Sequence, residues 1–262
     1  MKNRILTITV LILLAGCGGK NKKDSLSLTE NQLYEQGMKE VKAGDYHGAA
    51  KTFTKLENEY PASARYADTL VLKAYAFYSE DKYVDAILTI EDFLQQFPVH
   101  KDAAYMYYLK AMSHYNQIMD IGRDQELTMK AKEDFRILVL LYPSSKYASD
   151  AKWKLEYIDN ILAGKEMEVG RFYMRTNKPI ASINRFKSVI ENYQTSIFTP
   201  EALYRLTEVY FILGIKNEAI KYASVLGYNY PKSAWYQKSY DLLDKNGEKR
   251  RGSSLKQILQ HF

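Results

Sequence analysis

The chain has 262 residues, of which 46% are hydrophobic and 26% are charged; this composition is that of an ordered protein and excludes an intrinsically disordered one. It contains 6 prolines and 13 glycines but 23 tyrosines, which disfavours many short strands and favours helices with aromatic packing. The formal net charge is +6, yet acidic and basic residues alternate along most segments, as on solvated helix faces, so nucleic-acid binding is not expected.

The first seventeen residues have the pattern of a lipoprotein signal peptide. A positive start is followed by an apolar run from Ile5 to Ala15, which is too short to span a bilayer because about twenty residues are needed. The run ends in Leu-Ala-Gly before Cys17, the one cysteine of the chain, and this sequence resembles the bacterial lipobox. We predict a signal peptide over residues 1–16 and lipidation of Cys17. The alternative is an ordinary signal peptide followed by a free thiol.

Residues 17–29 are polar and lack helical periodicity, which predicts a tether between the lipid and the folded part. About twelve residues extend at most roughly 40 Å, so the folded part is expected to stay near the membrane. Gly18 follows the cysteine, and resemblance to lipoproteins of model Gram-negative bacteria implies sorting to the outer membrane.

From residue 30 onward one pattern recurs five times. An aromatic residue ends each helical run, at Tyr60, Phe97, Tyr142, Tyr193 and Tyr230. Eleven residues before each aromatic is a small residue, and four positions after the small residue is one that fills the space next to it. These pairs are Ala49 and Phe53, Ala86 and Ile90, Ala131 and Phe135, Ser182 and Phe186, and Ala219 and Ala223. Further upstream are short residues at Gly37, Ala74, Gly170 and Thr207, and turn residues at Gly44, Asp81, Asn177 and Gly214.

Small residues at fixed offsets let two helix backbones approach closely, so each unit is predicted to be an antiparallel helix pair. The period of 37 residues resembles that of tetratricopeptide repeats. The predicted fold is all-α, a right-handed superhelical solenoid of five tetratricopeptide-like helix pairs. Eight additional residues around Asp120 to Leu127 predict a longer loop, and fourteen around Trp153 to Ala163 predict a longer helix.

This organisation divides the chain into repeats 1–3 over residues 30–150, a long connecting helix with repeats 4–5 over residues 151–243, and a basic tail over residues 244–262. The tail ends in an amphipathic pattern at Leu255, Ile258, Leu259 and Phe262. We interpret it as a frayed tail; contact with anionic lipid or another subunit is the alternative.

The first helix of each of the first three repeats carries large adaptable side chains at the positions expected to face inward. We call these residues the tyrosine strip: Tyr34, Met38, Tyr75, Tyr78, Tyr108, Met112 and Tyr115. Tyrosine and methionine can hold extended peptides of varied sequence, which favours a peptide groove. The alternative is that these side chains only pack between repeats.

The sequence contains no arrangement typical of an enzyme. The four histidines, His47, His100, His114 and His261, have no metal-ligand spacing, and no nucleophile elbow or phosphate loop occurs. We expect no enzymatic activity, no cofactor and no metal. Adjacent carboxylates such as Glu133 and Asp134 are interpreted as solvated charges.

Over residues 12–242 the chain resembles the BamD family, the lipoproteins of the outer-membrane β-barrel assembly machine. The resemblance rests on the lipobox, the repeats, and the segments Tyr60-Pro61-Ala62-Ser63, Tyr142 to Tyr147 and Leu162 to Tyr173 with Ile183 to Phe186. It implies an outer-membrane scaffold, lipid-anchored at the periplasmic face, that binds the POTRA domains of BamA, the C-terminal signals of unfolded β-barrel proteins and other Bam lipoproteins.

The resemblance also implies that the N-terminal repeats hold the peptide and that the C-terminal repeats face BamA. Arg185 matches a family arginine linked to that second half, and the candidate partner-binding residues are Arg171, Arg175, Arg185, Tyr204 and Phe211. The alternative function is that of another repeat-containing envelope lipoprotein, a pilotin or a coordinator of peptidoglycan synthesis.

Overall fold

The structure is a computed structural model and describes residues 28–246. The predicted signal peptide, Cys17, most of the tether and nearly all of the basic tail lie outside the described residues. Every regular element of this part is an α-helix. The helices are α1 (Glu30–Ala43), α2 (Tyr46–Glu59), α3 (Tyr66–Ser79), α4 (Tyr83–Gln96), α5 (Ala103–Tyr115), α6 (Glu126–Leu141), α7 (Lys146–Arg175), α8 (Pro179–Asn192), α9 (Thr199–Ile212), α10 (Lys216–Asn229) and α11 (Ala234–Asn246). None of these helices is both long and apolar enough to cross a membrane.

Successive helices pack as pairs, which confirms the predicted helical-repeat solenoid. The pairs are α1 with α2, α3 with α4, α5 with α6, α7 with α8 and α9 with α10, and each pair also packs against the next. The buried side chains form a series of four neighbouring clusters instead of one central core. Stability of such an array is approximately a sum over neighbouring units.

The turns inside four pairs have the backbone that their residues predict. Gly44 and Gly214 have φ of 76° and 74°, and Asp81 and Asn177 have φ of 58° and 55°. Glycine, asparagine and aspartate are the residues that adopt this left-handed conformation most readily. The predicted turn positions are therefore confirmed.

The predicted helix crossings are confirmed as well. The five small crossing residues on the second helices are fully buried, and so are the residues four positions later. A Cβ atom added at Gly37 would come within 2.6 Å of the Phe53 ring, and one added at Gly170 within 2.5 Å of the Phe186 ring. Because real Cβ atoms do not approach so closely, these two glycines are needed for the packing of the rings.

Each predicted closing aromatic occupies the C-cap of a second helix. The hydroxyl of Tyr142 donates to the Pro98 carbonyl oxygen at 3.2 Å, and that of Tyr60 donates to the Leu28 carbonyl oxygen at 2.9 Å. Tyr142 thus contacts the end of the preceding unit, and Tyr60 contacts the chain just before α1.

Helix α7 has 30 residues and includes the stretch for which a longer helix is predicted. Its first half packs against α5 and α6, and its second half pairs with α8. The long α5–α6 loop folds back onto it, since Ile121 lies against Gly164 and Lys165 Nζ donates to the Gly122 carbonyl oxygen at 3.0 Å. The helix therefore continues the array, and it does not hold two separate halves apart.

Two sequence interpretations need correction. Helix α11 extends to Asn246 and was not included in the five-pair prediction, so the boundary placed at residue 244 falls inside this helix. Asp134 is buried, with its Oδ2 atom 2.7 Å from His114 Nδ1 and its Oδ1 atom 3.8 Å from Lys110 Nζ. It is a paired charge between α5 and α6 and not a solvated one, because a residue adjacent to an exposed carboxylate on a helix points in a different direction.

Candidate functional site

All seven residues of the tyrosine strip are half-buried. On α1, the Tyr34 ring packs edge-on to Phe53 at 6.4 Å, with the Arg65 guanidinium 4.7 Å from its centre. The five strip residues outside α1 lie on α3 and α5, two first helices that contact each other directly. Direct contact between first helices thus joins the part of the strip that lies in the second and third repeats.

Further aromatic side chains, absent from the prediction, extend the tyrosine strip. Tyr147 on α7 stacks on Tyr108 at 5.0 Å with an interplanar angle of 26°, and its ring also lies 5.6 Å from that of Tyr105. The Tyr75 ring contacts Tyr46 edge-on at 5.8 Å. The surface formed by α3, α5 and the first half of α7 is consequently built mainly from tyrosine rings.

The hydroxyl groups of this surface have defined polar partners. Tyr108 donates to Asp150 Oδ2 at 2.7 Å, and Asp150 also pairs with Lys154 at 3.1 Å. Burial raises the pKa of the Tyr108 hydroxyl, and so does its hydrogen bond to the Asp150 carboxylate. Asn116 donates to the Tyr78 hydroxyl at 3.0 Å. The Tyr108 phenol is therefore neutral at physiological pH and donates its proton to a hydrogen bond.

At the C-terminal end of α5, this surface continues into a cleft of about 530 Å³ between α5, the α5–α6 loop and α7. Tyr115 lies in this cleft, with Tyr157 5.9 Å from its ring centre and the Lys154 ammonium 5.1 Å from it. One turn before Tyr157 is Trp153, which is 74% exposed. This tryptophan is a candidate for contact with a partner, because tryptophan side chains often act as anchors at protein interfaces.

The candidate partner-binding residues do not form a single site. Arg171 donates to both oxygens of Glu201, at 3.0 and 2.5 Å, and Arg205 donates to Glu201 at 3.3 Å and to Glu208 at 2.8 Å. We call these four residues the arginine network. Tyr204 lies beside it, with its ring 5.3 Å from that of Trp235 on α11.

Burial by itself would raise the pKa of Glu201, but the hydrogen bonds and positive charges of Arg171 and Arg205 outweigh burial and lower it below the usual value. Glu201 is therefore ionised and holds two arginines between α7 and α9. A second cleft, of about 330 Å³, is lined by Arg171, Arg175 and Arg205. Arg175 is exposed at this cleft. Among the described residues no carboxylate lies within ion-pair distance of it.

The other two candidates lie elsewhere. Arg185 on α8 donates to both oxygens of Glu166 at 3.3 Å, and its side chain is 45% exposed. Phe211 packs against the buried cluster of the last two pairs. Sequence reasoning grouped these residues, but the structure joins only Arg171 and Arg175 at one cleft, with Tyr204 against Arg205 beside it.

One group in the described part of the chain has metal-ligand atoms within 4.8 Å of one another: Asp68, His100 and Asp102. Lys101 Nζ lies 3.8 Å from Asp68 and 4.0 Å from Asp102, and the Asp102 N–H donates to His100 Nδ1. The lysine already provides the positive charge that balances these carboxylates, so we assign no metal site here.

Comparison with known proteins agrees with this architecture. A family model, YfiO, described as an outer membrane lipoprotein, matches residues 27–239. The chain is 39% identical over 246 residues to the outer membrane protein assembly factor BamD of Caulobacter vibrioides, covering 93% of this chain and 81% of the relative. It is 40% identical over 238 residues to the protein of the same name from Rickettsia prowazekii, covering 90% and 94%. For that of Xylella fastidiosa the identity is 31% over 239 residues, covering 87% and 82%. The chain therefore belongs to the YfiO family of outer membrane lipoproteins.

Proposed function

We propose that this protein is a non-enzymatic scaffold in the assembly of outer-membrane β-barrel proteins, held at the periplasmic face by lipid on Cys17. Family membership and the role of the relatives, which are named outer membrane protein assembly factors, support the general role. The observation that carries the peptide-binding part is the row of tyrosine rings across α3, α5 and α7, which is half-buried and has polar partners for several hydroxyls.

The tyrosine strip would bind C-terminal segments of unfolded barrel proteins in an extended form. A transmembrane β-strand alternates apolar and polar side chains and carries aromatic residues near the membrane interfaces. Its apolar side chains would stack on the rings of the strip, while its backbone N–H and C=O groups would bond to phenol hydroxyls. Trp153 and Tyr157 would extend this surface at its open end.

The C-terminal half would contact the POTRA domains of BamA, and other Bam lipoproteins are further candidate partners. Arg175 supports this assignment because it offers an exposed guanidinium beside Arg171. Guanidinium groups bind carboxylates with two parallel hydrogen bonds, which gives an interface orientation as well as energy. Arg185 and Phe211 would lie at the margin of such an interface.

Peptide binding can be tested with two exposed side chains that differ in location. Trp153 is 74% exposed on α7, one turn before Tyr157, and Leu140 is 78% exposed on α6. In the full-length Cys17→Ser chain, Trp153→Ala should weaken binding of a fluorescent peptide copied from a barrel protein's last strand by about tenfold, the usual scale for an aromatic anchor. Leu140→Ala should leave affinity unchanged, and equal affinities for the two variants would refute the groove.

Tyr75→Ala combined with Tyr108→Ala gives a stronger form of the same test. This double variant should lose peptide affinity while circular dichroism shows that the array stays helical. A folded double variant with unaltered affinity would assign these rings to packing between repeats alone.

Partner identity is tested in cells by detergent extraction and affinity purification of the lipidated chain. Recovery of BamA, reduced in Arg175→Glu, is the expected result. A secretin or a cell-wall synthase in place of BamA would support the pilotin or peptidoglycan alternative and overturn the assignment.

A further inference from the structure

The outer face of α10 carries an apolar stripe next to the C-terminal end of the described chain. A cleft of about 520 Å³ runs along this face and is lined by Asn217, Ile220, Lys221, Ser224, Val225, Tyr228 and Asn229. Tyr228 is 78% exposed and Val225 is 39% exposed, while the small Ser224 lies one turn before Tyr228 on the same face. A small residue flanked by larger ones is the surface on which a second helix packs closely.

Most of the other second helices are polar at the matching positions. Five, six and nine residues after the crossing residue, α10 has Ser224, Val225 and Tyr228. At the same offsets α4 has Glu91, Asp92 and Gln95, and α8 has Lys187, Ser188 and Glu191. Helix α6 differs from these, with Arg136, Ile137 and Leu140 at the same offsets, so apolar residues occur here in two of the five second helices and are not imposed by the repeat.

The chain beyond α11 can reach this face. A short turn joins α10 to α11 and the two helices pack together, so Asn246 returns toward the level at which α10 begins. Eight residues separate Asn246 from Leu255. They span up to about 28 Å, more than the length of α10, which is about 21 Å.

The end of the chain also has the complementary pattern. Leu255, Ile258, Leu259 and Phe262 recur at the spacing of one helix face. We propose that residues 255–262 dock on the outer face of α10, at the C-terminal end of the solenoid. Helix α11 already covers part of the last helix pair, and the docked segment would cover the apolar side chains of α10 that remain exposed. A short linker gives the segment an effective concentration on the order of millimolar, so a weak contact is sufficient.

Disulfide trapping tests the docking, because Cys17 is the single cysteine and can be removed by Cys17→Ser. The test variant is the full-length chain with Tyr228→Cys and Leu259→Cys, purified in mild detergent. The matched control has Leu140→Cys and Leu259→Cys: Leu140 is also 78% exposed, lies nine residues after its crossing residue, and lines an apolar cleft on α6.

After mild oxidation, the variant with Tyr228→Cys and Leu259→Cys should form an intrachain disulfide at least about tenfold faster than the control. The reason is that docking gives the two thiols a high effective concentration. Adding Ile258→Asp and Phe262→Asp should reduce that rate to the control value. Equal rates for both pairs would overturn the proposal. So would disulfides that form only between chains and increase with protein concentration, since these would assign the face to a second copy.

Discussion

The first helices of the two halves share one register but differ in chemistry. Eight and fifteen residues beyond the closing aromatic, α5 carries Tyr105 and Met112, whereas α9 carries Glu201 and Glu208. In α5 these positions contribute to a surface of rings, and in α9 they hold two arginines in ion pairs. The same backbone framework therefore presents a neutral, adaptable surface in one half and a charged, directional one in the other.

The contrast indicates how one solenoid can serve two kinds of partner. Tyrosine and methionine accept many sequences, because stacking and dispersion depend little on the exact group that is bound. Arginine and glutamate select a partner by complementary charge and penalise a wrong one. An aromatic half suits varied unfolded chains, and a charged half suits one folded subunit.

The largest predicted effect tests whether the two halves are built alike. Phe53 and Phe186 are both fully buried and both pack on a glycine of the first helix, Gly37 or Gly170. Phe53→Ala and Phe186→Ala should each lower the free energy of unfolding by about 3–5 kcal/mol, the usual cost of emptying such a site. Urea unfolding followed by circular dichroism measures this, with Leu140→Ala as the surface control. If one of the two variants lost less than about 1 kcal/mol of unfolding free energy, the two halves would differ in core packing although their residues follow the same spacing.

A smaller loss is predicted for the arginine network. Arg171→Ala leaves Glu201, which is 8% exposed, with only Arg205 as a charged partner. Because the Arg171 side chain is itself 34% exposed, we reduce the usual cost of breaking a buried pair to about 1–3 kcal/mol. Arg175→Ala at the same cleft should leave the free energy of unfolding unchanged. Equal losses in the two variants would show that the ion pair does not stabilise the contact between α7 and α9.

The pH dependence of this network has a defined sign. Since the pKa of Glu201 is lowered in the folded chain, its stabilising contribution is present above the ordinary carboxyl pKa and disappears as the pH falls through the lowered value. Without Arg171, burial is opposed by Arg205 alone, so Arg171→Ala should begin to lose stability at a higher pH than the wild type. Urea unfolding between about pH 3 and pH 7 would detect the shift. Parallel acid profiles for the two chains would contradict it.

The fold was accessible from sequence because its determinants are local and repeated. Small crossing residues, left-handed turns and closing aromatics recur at fixed offsets, and each is required by helix packing or backbone geometry. A further regularity was missed: the residue nine positions after each closing aromatic is buried, at Thr69, Met106, Ala151, Ala202 and Ser239. It marks the first half of α7 as a member of the first-helix row and α11 as a sixth first helix.

The candidate sites were less accessible, because their contacts join residues far apart in the chain. Arg171 and Glu201 are 30 positions apart, and Tyr108 and Asp150 are 42 apart. No local pattern indicates that an arginine meets that particular glutamate. Trp153 and Tyr157 of α7 were overlooked for a related reason. They lie in the stretch from Trp153 to Ala163, which was interpreted as an insertion and was not assigned to the tyrosine strip.

The smallest predicted effect on stability concerns Arg185, and it separates folding from binding in the charged half. Its two hydrogen bonds to Glu166 are long, at 3.3 Å, and its side chain is 45% exposed, so solvent and salt screen the pair. Arg185→Ala should therefore change the free energy of unfolding by less than about 1 kcal/mol in urea titrations. If Arg185 contacts a partner, the same variant should reduce the recovery of BamA from membranes, and Glu166→Gln, which frees the guanidinium, should not. Equal recovery of BamA with Arg185→Ala and with the wild type would remove Arg185 from the interface and leave Arg171, Arg175 and Tyr204 as the partner-facing residues of that half.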